Sequence, residues 1–125
     1  MENKVLLVDD DAFLREILNE FLQDEGINVV CASDGKEALD LVDETYSCVV
    51  TDMAMPKLDG VSLVQKLKAD YPALKIIAIS GGRVHSGDLY LKLAAKAGAD
   101  RTFCKPFDLE EFLACLTSEK KALSV

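Results

Sequence analysis

The chain is short of histidine, of positive charge and of long apolar runs, and each shortage removes a class of function. Its only histidine is His85, and its four cysteines, Cys31, Cys48, Cys104 and Cys115, lie far apart with no CxxC pair. Zinc sites need clustered Cys and His ligands, so none is expected here. The cysteines read instead as reduced thiols, mostly buried, in a reducing compartment. Lysine and arginine total 14 against 22 acidic residues, a net charge of −8. Such a surface repels phosphate backbones, which argues against direct binding of nucleic acid. No apolar run is long enough to cross a bilayer, and no basic-then-apolar leader opens the chain. The expected location is therefore the cytoplasm, with no membrane contact. GxGxxG and GxxxxGK(S/T) motifs are both missing. Three acids fill the first turn, where a nucleotide or flavin phosphate would need glycines and backbone N–H groups.

What is present is a chain of 125 residues, 50% hydrophobic. That is enough for one domain with its own core and too apolar for disorder. No repeat, low-complexity segment or linker divides it. Short apolar runs alternate with helical periodicity from end to end. Residues 4–8 (KVLLV) read as a buried strand. Residues 11–25 carry the apolar pairs Phe13/Leu14, Ile17/Leu18 and Phe21/Leu22, spaced to form one helix face, and Gly26 is a stop. Residues 28–31 form a second strand. Ser33 or Asp34 caps a helix to about Glu44, with Ala38, Leu39 and Val42 inward. A third strand covers 48–51. A helix covers 58–70, with Val61, Val64 and Leu67 inward, and ends before Pro72. A fourth strand covers 75–80, followed by a glycine-bearing loop, 81–87, and a helix over 88–97. A fifth strand covers 101–104. The last helix covers 108–120, with Leu109, Phe112, Leu113 and Leu116 inward. Five βα units imply an α/β fold, a doubly wound parallel sheet covered by helices on both faces. Only Ala122 to Val125 follow the last helix, so no further domain is expected within residues 1–125, which read as a complete single-domain protein or as a piece of a longer one.

In such sheets the chemistry sits at the carboxyl ends of the strands. The first strand ends in Asp9, Asp10 and Asp11, the third in Asp52, the fourth in Ser80 and the fifth in Lys105. Taken singly, each is ordinary: aspartates after a strand cap helices or open turns, Ser80 precedes two glycines, and Lys105 precedes Pro106. Asp11 fits the capping role. Two further carboxylates in the same turn exceed what capping needs, and like charges held together call for a cation. Magnesium takes a few carboxylate oxygens and keeps sites for a phosphoryl oxygen. Asp52 is then a carboxylate nucleophile on phosphorus, with Lys105 and Ser80 answering the negative charge that spreads in the transition state.

The segments VLLVDDD, VVTDMAMPKLDG, IIAISGG and FCKPF, in this order over nearly the whole chain, resemble the signature segments of two-component response-regulator receiver domains. The likeness is to the single-domain, chemotaxis-regulator-like members. It implies a flavodoxin-like sheet of order 2-1-3-4-5 and phosphorylation of Asp52 by a histidine-kinase phosphohistidine. It also implies Mg²⁺ held by Asp9, Asp10, Asp52 and the backbone carbonyl of Ala54. Ser80 and Lys105 would contact the phosphoryl group, and a cis bond before Pro106 would aim Lys105 into the pocket. The implied partners are a sensor histidine kinase or phosphotransfer protein, recognised along the first helix, and a downstream protein target. That target would dock on the surface of helix 4, strand 5 and helix 5.

The pattern is broken where many members carry an aromatic switch residue on the fifth strand. Thr102 stands there, and the adjacent Phe103 points to the opposite face. The loop from Gly81 to Gly87 is longer than usual and is expected to shape the site. His85 lies in that loop and reads as a surface residue. Ala54 and Gly82 are small where the family flanks the attacking water. A haloacid-dehalogenase-like phosphatase also uses an aspartate nucleophile with Mg²⁺, but it needs a second aspartate at the place that Ala54 occupies.

Overall fold

The computed structural model describes residues 4–53, 60–80, 86–105 and 107–118, the side chains of 86–91 excepted. Strands β1 (Lys4–Val8), β2 (Asn28–Ala32), β3 (Cys48–Asp52), β4 (Lys75–Ser80) and β5 (Arg101–Cys104) alternate with five helices. These are α1 (Ala12–Asp24), α2 (Gly35–Leu41), α3 (Gly60–Asp70), α4 (Ser86–Ala97) and α5 (Leu109–Thr117). The sheet is wholly parallel, in the order β2-β1-β3-β4-β5. The three inner strands are buried almost throughout, and β2 and β5 at the edges are partly exposed. This explains their composition: a strand covered on both faces reads as a continuous apolar run.

Strand alternation sorts the core into two layers. Leu6, Val8, Val49, Ile76 and Ala78 face Ala38 of α2, Leu63, Val64 and Leu67 of α3, and Ala94 of α4. Val5, Leu7, Val50, Ile77, Ile79 and Phe103 face Leu18 and Leu22 of α1 and Phe112, Cys115 and Leu116 of α5. Right-handed crossovers produce this division, because the chain winds from β1 outward to β2 and then returns across β1 to β3. In sheets that reverse in this way, sites form at the carboxyl ends of the strands beside the reversal, here β1 and β3.

Helix starts follow local chemistry. Asp11 accepts from the N–H groups of Phe13 and Leu14, Asp34 from that of Glu37, and Asp108 from that of Glu110. Each satisfies donors that the first turn leaves unpaired. Gly26, at φ +82°, and Gly98, at φ +120°, follow the ends of α1 and α4 in the left-handed region.

Several expectations are corrected, among them the reach of the last helix, which ends at Thr117 and not at 120. In α1 the seam is Leu14, Leu18 and Leu22 with Phe21, while Phe13 is 74% and Ile17 42% exposed. The apolar stripe is wider than the sheet can cover. Helix α2 stops at Leu41, not near Glu44. There the Asp43 carboxylate accepts from both the N–H and the hydroxyl of Thr45, a local pairing that competes with further helix. Leu109 lies outward at the start of α5. Two cysteines, Cys48 and Cys115, are buried, Cys31 is half-buried and Cys104 is exposed. Helix α4 begins at Ser86, two residues early, and residues 81–85 of the preceding loop, with His85, lie outside the described residues.

One buried cation went unanticipated. Lys75, only 4% exposed, opens β4 and points at the end of α5. Its ammonium donates to Cys115 O at 2.8 Å, Leu116 O at 3.5 Å, Ser118 Oγ at 3.2 Å, and Ser118 O. The helix's carboxyl-terminal carbonyls attract positive charge.

Candidate functional site

The carboxyl edge of the sheet delivers the four strand-end groups to one place. Asp9 follows β1, Asp52 ends β3, Ser80 ends β4 and Lys105 follows β5. Register holds them level: Val8 lies opposite Thr51, Asp52 opposite Ile79, and Ser80 opposite Cys104. The ladder continues past the strands through Asp9 N to Ala32 O (3.1 Å), Met53 N to Ile79 O (2.9 Å) and Lys105 N to Ser80 O (2.9 Å). The backbone beneath the site is therefore as fixed as the core.

Burial sets the electrostatics. Asp9 is 2%, Asp52 7% and Ser80 2% exposed, while Asp10 faces solvent. Carboxylate oxygens of Asp9, Asp10 and Asp52 lie within 4.8 Å of one another. One oxygen of Asp9 accepts from the Asp11 N–H at 2.9 Å, and the other is 3.5 Å from Lys105 Nζ. Three carboxylates and the Lys105 ammonium meet here among the described residues, and holding so many like charges together in a buried place is expensive without a cation. The donors are hard oxygens, as magnesium prefers. A Mg²⁺ with ligands at about 2.1 Å draws opposite oxygens to about 4.2 Å. Small side-chain adjustments close the difference, so the acidic cluster fits a divalent ion.

Asp9, Asp10 and Asp52 thus stand together with Lys105 beside them, and Ser80 ends the strand between those of Asp52 and Lys105. Ala54, Gly81, Gly82 and Pro106 lie outside the described residues. Thr102 is half-buried on β5. Phe103 lies on the opposite sheet face, packed against Phe107 and Phe112 at ring-centroid distances of 5.5 and 5.8 Å.

Three contributors were not read from the sequence. The buried Thr51 hydroxyl donates to Asp52 O at 2.9 Å. Arg15 donates from its guanidinium to the backbone oxygen of Asp9. Gly60 meets the end of β3 so closely that an added Cβ would lie 2.6 Å from Met53 Cα and 2.9 Å from Asp52 O. A signal existed for two of them. Arg15 is a cation in the first turn of a helix, against the dipole. Gly60 opens a helix, where a glycine needs a packing reason.

Comparison with known proteins gives the class. A model of the response regulator receiver domain matches residues 5–117. The transcriptional regulatory protein CpxR of Escherichia coli strain K12 is 38% identical over 112 residues, 90% of this chain and 47% of that protein. A receiver domain protein of Clostridium thermocellum superposes with a TM-score of 0.84 at 27% identity, covering 98% of this chain and 94% of that one. A response regulator of Burkholderia pseudomallei, crystallised with a phosphorylated aspartic acid, a calcium ion and citrate, superposes with a TM-score of 0.81. It is 26% identical, covering 98% of this chain and 71% of that one. The chain belongs to the response regulator receiver domain family of two-component signal transduction. It spans about half the length of the curated relatives it matches. No helix among the described residues is long and apolar enough to cross a membrane.

Proposed function

We propose that Asp52 is the phosphoacceptor, and that Mg²⁺ is held by Asp9, Asp10, Asp52 and the backbone carbonyl of Ala54. The observation that carries this reading is the meeting of three carboxylates, within 4.8 Å, beside the Lys105 ammonium. A carboxylate oxygen of Asp52 attacks the phosphorus of a phosphohistidine on a sensor histidine kinase or phosphotransfer protein. The P–O bond forms as the P–N bond breaks, and the bonding pair leaves with the imidazole nitrogen. Bound magnesium supplies neutralisation of the charge spread over the phosphoryl oxygens. Lys105, now 3.5 Å from Asp9, turns to the new anion, and the Ser80 hydroxyl donates to it. The domain catalyses its own phosphorylation and dephosphorylation rather than turning over a separate substrate.

Location in the cytoplasm agrees with this chemistry, with neither membrane nor nucleic acid as a direct partner. Donor docking along α1 is supported by Phe13 and Ile17, which the sheet leaves exposed close to the acidic turn. The downstream target docks on the α4, β5 and α5 surface, or the phosphoryl group is relayed onward. Thr102 carries no ring to swing inward, so Ser80 and Lys105 transmit the state without an aromatic at that place.

The test is an intact mass after incubation with acetyl phosphate and Mg²⁺. One phosphoryl adduct is expected, lost in Asp52→Asn and in EDTA. An adduct that survives both controls would overturn the assignment.

A further inference from the structure

The turn between β1 and α1 carries two of the three clustered carboxylates, so whatever fixes its backbone fixes them. Among the described residues, few hydrogen bonds hold its backbone. Asp9 N is held by Ala32 O, and Asp11 N by the Asp9 side chain itself. The Asp9 carbonyl is taken by a guanidinium nitrogen of Arg15, six residues on. The Arg15 N–H closes the first helical turn onto Asp11 O at 2.9 Å. One residue thus grips the turn on both sides of Asp10.

The placement runs against local preference. Arg15 stands in the first turn of α1, which holds no acidic residue, and a cation there opposes the helix dipole. An unfavourable local choice at a functional turn signals a local use. The side chain is half-buried and reaches back to Asp9 at the end of β1. Burial pushes the Cys31 thiol on β2 up, and the nearby Arg15 charge opposes that rise. The guanidinium is therefore held against β1 and β2 and is not extended into solvent.

We infer that Arg15 is a positioning residue for the metal ligands: it clamps the Asp9 carbonyl, so that the Asp9 and Asp10 carboxylates are already placed before the cation arrives. Partners that orient metal ligands typically contribute tenfold or more to affinity. The inference rests on the proposed magnesium site, and the clamp and the bare charge of Arg15 have opposite consequences there. A nearby positive charge repels Mg²⁺, so deleting the charge alone tightens binding. Deleting the clamp weakens it.

The experiment is calorimetric titration of Mg²⁺ into the full chain, wild type beside Arg15→Met, Arg15→Gln and Arg15→Lys, with no phosphodonor present. Arg15→Met is expected to weaken Mg²⁺ about tenfold, with Arg15→Gln and Arg15→Lys, which keep a donor, falling between. Hydrogen exchange at the Asp11 amide of the metal-free protein is expected to quicken in Arg15→Met. Equal or tighter Mg²⁺ binding by Arg15→Met would overturn the clamp. Wild type that binds no Mg²⁺ would instead remove the metal reading beneath it, and unchanged Asp11 exchange would then dispose of the clamp as well.

Discussion

Replacing Gly60 by alanine probes the joint between core and site with a single methyl group. An ideal Cβ there falls 2.6 Å from Met53 Cα, 2.8 Å from Met53 Sδ and 2.9 Å from Asp52 O. Carbon atoms in contact sit about 3.5–4.0 Å apart, so α3 and the end of β3 must part by about 1 Å. Met53 is fully buried and Asp52 is nearly so, and two of the three neighbours are backbone atoms. Overpacking of this kind costs about 1–3 kcal/mol. Alanine returns up to about 1 kcal/mol in helix propensity, and less at the first helical residue. The net loss of about 1–2 kcal/mol corresponds to a melting point lower by roughly 3–10 °C for a domain of this size. Because the shift falls on the proposed phosphoacceptor, phosphoryl uptake is expected to slow as well. Gly98→Ala is the control. At φ +120° its methyl is strained, and it meets the flexible Lys68 side chain at 2.8 Å, at the end of α4 near the amino edge of the sheet. It should lower stability and leave uptake alone. Circular dichroism melts and acetyl phosphate time courses read both. Gly60→Ala melting at or above wild type, with unchanged uptake, would refute the reasoning.

Three further perturbations test other parts of the account. Lys75→Met removes the cation that gathers the last carbonyls of α5. It should cost about 1–3 kcal/mol in urea unfolding and quicken amide exchange in the last turn of α5, with protection of α1 unchanged. Lys105→Met should slow phosphoryl uptake about ten- to a hundredfold without blocking Mg²⁺ binding; faster uptake would contradict its role. Burial pushes the Cys48 and Cys115 thiols above the ordinary 9.0. A raised folded value means that the unfolded chain gives up its protons first. Stability is therefore full below about pH 9 and should fall as pH rises beyond it, with urea unfolding at pH 8 and 10 as the check and a rise at pH 10 as the contradicting result.

Much of this was legible because strands buried on both faces leave no choice of pattern. The runs 4–8 and 75–80 became β1 and β4 residue for residue, since each is mostly apolar and followed by turn residues. The strand-end residues were legible for the same reason: once five βα units are counted, Asp9, Asp52, Ser80 and Lys105 fall on one edge. Helix faces were less readable. Periodicity marks Phe13 and Leu14 alike, yet the tilt of α1 on the sheet buries the Leu14 side and leaves Phe13 out. The stop of α2 depended on one carboxylate, Asp43, finding Thr45. Lys75 was beyond reach, because it finds carbonyls at the end of α5 that only the folded chain brings near; Arg15 left a signal in its place in the first turn of α1, but its partner, the Asp9 carbonyl, is met only on folding.

The central claim is that phosphorus bonds to Asp52 and to no other acid in the cluster. The direct measurement is to phosphorylate the chain with acetyl phosphate and Mg²⁺, trap the acyl phosphate with borohydride, and sequence the peptides by tandem mass spectrometry. Reduction to homoserine at position 52 alone is the expected result. Homoserine at position 9 or 10, or unmodified aspartate at 52 in protein that carries the phosphoryl mass, would contradict the account.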